Sequence, residues 1–186
     1  RCAAESAAWG LNNMWVARAN EGFVFGDLTP ASMKTLKGVP MLIESSDPRV
    51  RDRLLPETCQ DDEDEEHWRE HAVPELERLF MSRAQLVQRD LDAVQKVAGE
   101  ENVALLVPDV HVNAWVAALN AARLALCALN DMTAAHFEVD GFATASPKQQ
   151  EALLRMEMLA EMQAVLLGEY QIEDDDDTTY EELAME

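Results

Sequence analysis

The sequence predicts a mainly α-helical domain. Four or five helices bundle around a buried central helix, residues 109–130, with a small antiparallel β element built from an N-terminal hairpin and a strand at 102–107. Three observations predict this. From Val110 to Leu129 the only Asp, Glu, Lys or Arg is Arg123, so this segment has no charged face of the kind that solvates a surface helix. Apolar residues recur at Val73, Leu76, Phe80, Ala84, Val87, Leu91 and Val94, close to helical spacing. Three dipeptides, Thr29-Pro30, Asp47-Pro48 and Ser146-Pro147, each place a capping side chain before a proline suited to the first helical turn.

Each element follows in order. Met14 to Ala19 and Phe23 to Phe25 flank Asn20-Glu21-Gly22, which reads as a short hairpin whose Gly22 supplies a positive φ. The helix from Thr29-Pro30 extends to about Ser45, with a break or kink expected near Gly38 and Pro40. Asp47-Pro48 opens a short helix that Pro56 stops. The acidic run 61–66 leads into a long helix that Pro74 divides and that ends near Ala98-Gly99. Asn102 to Val107 is the strand. Within the central helix, stepping from Val112 puts Trp115, Val116, Leu119 and Leu126 within about 60° of one line, with Arg123 about 20° from it. Ala114, Ala117, Ala118, Ala121, Ala125 and Ala128 face the other way, so burial all round is expected. Residues 131–145 form a loop with a little strand at His136 to Val139, and the last helix runs from Ser146-Pro147 to about Tyr170. The resulting organisation is an extension at 1–12, a single helical domain at 13–171 and an acidic tail at 172–186, expected to be disordered.

The net charge is −21, and it is unevenly spread. Asp61 to Glu66 and Glu173 to Glu186 together hold 14 acids and no base; without them 22 acids face 15 bases. Such acidity disfavours nucleic acid, which needs Lys and Arg against phosphates, and disfavours an anionic membrane. A protein partner, basic in character, is compatible with it. Cys2, Cys59 and Cys127 form neither a disulfide framework nor a metal knuckle, so reduced thiols and a cytoplasmic location are expected. No apolar run is read as a membrane span; the central helix comes nearest, interrupted by His111, Asn113, Asn120 and Arg123. The chain begins at Arg1, so the native start is expected to lie outside it.

Three constellations could carry chemistry. Glu63, His67 and His71 share one face at four-residue spacing, which could hold Zn²⁺ through two nitrogens and a carboxylate. Trp68 stands where a zincin would have its glutamate, and the plainer reading is a solvated acidic helix start. Arg123 with Asn120 is the second. A buried guanidinium needs a carboxylate, for which Asp47 and Asp52 are candidates, or an opening to water. The structural reading is a core ion pair fixing helix register; the functional one is an arginine that recognises an anion or peptide. Third, Met156, Met158 and Met162 form either core or an adaptable binding face. The tail segment TTYEELAME could serve as a short interaction motif anchored by Tyr180 and Leu183. No nucleophile elbow, P-loop or dinucleotide fingerprint is present.

The order hairpin, DPRVRDRLLP, acidic spacer, long helix, strand, AWVAALNAARLAL and final helix resembles an uncharacterised bacterial family of unknown function, often encoded beside the gene for ClpS, the adaptor of the Clp protease. The resemblance spans Met14 to Tyr170 and rests on Asp47, Arg53, Leu54, Leu55, Pro56, Trp115, Leu119, Asn120, Arg123 and Leu124. It implies a mostly helical fold and a regulatory setting linked to proteolysis, with no assigned reaction or site. The function expected is therefore a non-enzymatic protein-interaction or regulatory domain needing no cofactor. The alternative is a zinc-binding protein or metal-dependent hydrolase using His67 and His71.

Overall fold

In the computed structural model the described residues are 14–96 and 103–169. The expected extension at 1–12, the end of the long helix at 98–99 and the acidic tail lie outside them. The fold is mainly α, with one small antiparallel sheet.

The sheet begins with β1 (Trp15–Ala19) and β2 (Gly22–Leu28), paired from Trp15↔Gly26 to Ala19↔Gly22 around a two-residue turn. Gly22 is demanded by crowding. A Cβ there would lie 2.1 Å from the carbonyl oxygen of Val107 on the next strand. The ladder slips between Phe25 and Leu28, where Asp27 takes a φ of 56°, the signature of a bulge. Phe25 and Leu28 point into the core.

Capping chemistry sets the helix starts. In α1 (Pro30–Ile43) the Thr29 hydroxyl accepts from the Ser32 N–H at 3.1 Å. In α2 (Pro48–Leu54) the Asp47 carboxylate accepts from the Arg49 N–H at 2.9 Å. In α3 (Asp62–His71) Asp61 accepts from both Glu63 and Asp64. Of the expected break or kink in α1, the break does not occur. The helix passes through Gly38 and Pro40, the proline removing only the N–H that Leu36 would have used.

Pro74 marks the junction between α3 and α4 (Val73–Asp92), as the sequence indicates. α4 ends about six residues sooner than expected, however, because Gln95–Lys96 turns back as β3 against β4 (Val103–Pro108). The sheet order is β1-β2-β4-β3, with Leu105 and Val107 of β4 facing the core.

A short 3₁₀ turn, Asp109–His111, leads into α5 (Val112–Leu129). This helix packs against α1, α2, α4 and α7 (Pro147–Leu166). Trp115, Ala118, Leu119, Ala121, Ala122, Ala125 and Leu126 are buried. Burial is not complete all round. Asn113 and Asn120, about 20° apart at 100° per residue, are exposed and open one strip of the helix to solvent. The window Asp109–Leu129 has a mean hydropathy of 1.5, enough by length and composition to cross a membrane; here its apolar side is spent on helix packing.

The stretch predicted to hold a little strand at His136 to Val139 is instead a 3₁₀ turn (Ala134–Phe137) followed by one turn of helix, α6 (Gly141–Thr144). Ser146 and Gln149 form a capping box at the start of α7, which stops at Leu166, four residues short of expectation. Met156, Met158 and Met162 are buried in the core cluster, and Met158 also reaches the concavity beside α1 with its small exposed edge.

Leu159 is fully buried, whereas Leu167 just past the helix is 56% exposed. Leu159→Ala is expected to cost about 2–5 kcal/mol in urea unfolding, and Leu167→Ala to stay within about 0.5 kcal/mol.

Candidate functional site

The two sequence-derived sites are placed apart on the fold. Glu63, His67 and His71 lie on α3, which has no buried residue and packs mainly on α4. The His67 and His71 rings meet edge-to-face with centroids 4.4 Å apart. Among the described residues no three His, Cys, Asp or Glu side chains gather closely enough to hold a metal ion. What α3 does hold is the preceding loop. Glu65 accepts the backbone N–H groups of Thr58 and Cys59, each at 3.0 Å, and pairs with Arg69 at 2.8 Å. These N–H groups, Cys59 first, hold its carboxyl below the usual glutamate range.

Arg123 lies at the edge of the open strip of α5, half-buried, and no carboxylate reaches it among the described residues. Its Nη1 donates to Gln163 Oε1 at 2.8 Å, and its Nε is buried without a partner. The expected carboxylates are engaged elsewhere: Asp47 caps α2 and pairs with Arg49 at 2.8 Å, and Asp52 is exposed. Asn120 is exposed and makes no hydrogen bond to Arg123. The neutral amide suffices because the helix face is partly wet there. Nearby, burial pushes the Cys127 thiol up, with the charges of Arg53 and Arg123 pulling the other way, so it stays protonated at neutral pH.

A partly buried carboxylate, Asp90 on α4, sits at the edge of this core. It accepts from the Trp115 indole N–H at 2.8 Å and meets His111 Nδ1 at 2.9 Å. Trp115 is fully buried, so its N–H depends on Asp90. The spacing of His111 and Trp115, four residues apart, is visible in sequence; their partner 25 residues away is not.

A concavity of about 1060 Å³ lies between α1 and α7. Each wall is one helical face. α1 contributes Lys34, Lys37, Gly38 and Met41, and α7 contributes Glu151, Leu154, Arg155 and Met158. Met41 is 73% exposed, an apolar side chain left in water. Gly38 gives the cleft its depth: Arg155 lies across it, and a Cβ at 38 would come within 2.9 Å of the guanidinium Nη2. Arg155 makes no hydrogen bond or ion pair among the described residues. Burial pushes its pKa down, opposed only by the more distant charge of Glu151. A charged group stripped of water and left without a partner is poised to receive one. The sequence offers one sign of this place: α1 carries two lysines and no acid in a strongly acidic chain.

The fold and this cleft define a small, mainly α domain with a helix-lined groove, apolar along its walls and cationic at its centre. The chain belongs to the family described as Domain of unknown function (DUF2017), whose model matches residues 26–179. The match starts after β1 and continues into the acidic tail, beyond the Tyr170 limit read from the motifs. No curated protein and no solved structure matches the chain.

Two outcomes follow from these contacts. Asp90→Ala leaves the Trp115 N–H buried and unsatisfied, and is expected to cost about 1–3 kcal/mol in urea unfolding, while Asp90→Asn retains an acceptor and costs less. Because the folded pKa of Glu65 is lowered, its contribution is present above the ordinary glutamate value and lost as pH falls through the folded one. The difference in melting temperature between the wild type and Glu65→Gln should therefore be present at pH 7 and vanish on acidification.

Proposed function

We propose that the protein is a non-enzymatic interaction domain that receives an amphipathic segment of a partner protein in the groove between α1 and α7. The observation that carries this reading is Arg155: half-buried, unpaired among the described residues, and set between apolar walls. Along α1 the groove runs from Pro30 to Ser45, about 22 Å at 1.5 Å per residue, the length of a four-turn helix. Met41, Leu42, Leu154 and Met158 would take the apolar side chains of such a segment, spaced at i, i+3, i+4 and i+7. Lys34, Lys37 and Arg155 would meet its carboxylates. A basic partner, suggested by the charge of the whole chain, would engage the acidic surface elsewhere; in the groove the complement is acidic.

The setting we favour is cytoplasmic and regulatory, near Clp-type proteolysis. It rests on the gene neighbourhood implied by the family resemblance and on the absence of any catalytic signature in the sequence. In that setting the groove would serve a scaffold or adaptor function rather than a reaction.

A photo-crosslinking amino acid at Met41, introduced in the native cell, should give discrete adducts that the same probe at Met81 on α4 does not. Arg155→Glu should abolish them. Once the captured segment is synthesised, Arg155→Ala should weaken its binding about ten-fold or more, the loss of one charge-assisted hydrogen bond. Adducts that are the same at Met41 and Met81, or indifferent to Arg155, would count against the groove.

A further inference from the structure

We propose that the groove has an occupant within this same chain: the segment Thr178–Met185, TTYEELAM, docks between α1 and α7, and a partner must displace it. This rests on the reading of the groove as a binding surface and adds its regulation.

The direction of the helices brings the segment to the right place. At one end of the bundle Arg49, just beyond α1, reaches Asp131 at 3.4 Å, and Lys148 in the first turn of α7 donates to the Leu129 carbonyl at 3.1 Å. The end of α1 and the start of α7 therefore share one end of the molecule, and the two helices run antiparallel. It follows that α7 ends, at Leu166, near the Pro30 mouth of the groove. Twenty residues follow Leu166 in the sequence. Extended at roughly 3.3 Å each they reach about 66 Å, three times the length of the groove. The segment need only turn back.

The chemistry of the two surfaces is complementary. The residues from Glu173 to Glu186 hold eight acids and no base. The opposing wall, α1, holds Lys34 and Lys37 and no acid, and Arg155 beside Gly38 is unpaired among the described residues. Within the segment, Tyr180, Leu183 and Ala184 fall at i, i+3 and i+4, one face of a helical turn, with Glu181 and Glu182 flanking it. That face matches the apolar line of Met41, Leu42 and Leu154, with Met158 at the floor; the flanking glutamates match the three cations. The acids of the groove, Glu151 and Glu157, lie on α7, so a bound carboxylate is steered toward α1. An occupant tethered at one mouth binds at millimolar effective concentration, so even modest contacts keep it docked.

The test uses the full chain with benzoylphenylalanine at Tyr180, irradiated at a dilution where intermolecular products are absent. Intramolecular adducts are expected on the peptides containing Met41 and Met158. The exposed double variant Lys34→Glu, Lys37→Glu should lower their yield about ten-fold, as should Arg155→Glu, and Arg155→Lys should restore most of it. Adducts spread over all helices, confined to α3 or α4, or unchanged by charge reversal would overturn the proposal. The two readings separate cleanly. Foreign adducts at Met41 without tail adducts leave the partner site standing and remove its internal occupant. Tail adducts in the groove with no foreign protein at Met41 do the reverse.

Discussion

Everything in this fold is arranged around the need of α5 to hide an apolar surface that has no charged side. Its alanines, Ala118, Ala121, Ala122 and Ala125, let neighbours approach closely, and Trp115, Leu119 and Leu126 fill the space beyond. Four helices are required to cover it, which is why short elements such as α2 are recruited. Once α5 is in place, the positions of α1 and α7 on its flanks are settled, and with them the groove that opens between their outer faces. The partly buried carboxylate of Asp90 serves the same purpose. It satisfies the one polar atom of Trp115, so the largest core side chain costs nothing in unpaired hydrogen bonds.

Charge is organised by the same division into inner and outer faces. The acids collect at the start of α3 and in the tail, where capping, ion pairs with Arg69, or water can accommodate them. α1 is left free of acids. In a chain of net charge −21 that makes it a local island of the opposite sign, placed where apolar side chains are also exposed. Exposed apolar area of this kind is a general feature of interaction surfaces, and it is what the proposed role of the groove draws on.

Local rules were well written in the sequence, and tertiary ones were not. Thr29-Pro30, Asp47-Pro48 and Ser146-Pro147 each start a helix because capping depends on three neighbouring residues. The hairpin and β4 were legible for the same reason. The end of α4 is hidden in the sequence because Val94 continues its apolar stripe, although the chain there is drawn into β3 by pairing with residues that follow. Arg123 was expected to need a carboxylate because its neighbours along the helix are apolar; the solvent strip through Asn113 and Asn120 becomes evident only when the other helices are in place. The groove was invisible for a stronger reason. Its walls come from segments more than a hundred residues apart, and neither Lys37 nor Arg155 is unusual until they face each other.

The close approach of Arg155 to Gly38 makes the depth of the groove a matter of side-chain rotation. What stands over the glycine is the tip of a long, flexible chain, so the floor can be lowered by one rotamer change with no movement of either helix. A ligand carboxylate that draws the guanidinium outward would thereby uncover bare backbone on α1. The same event that satisfies the charge also enlarges the apolar contact, and the groove fits itself to whatever neutralises it.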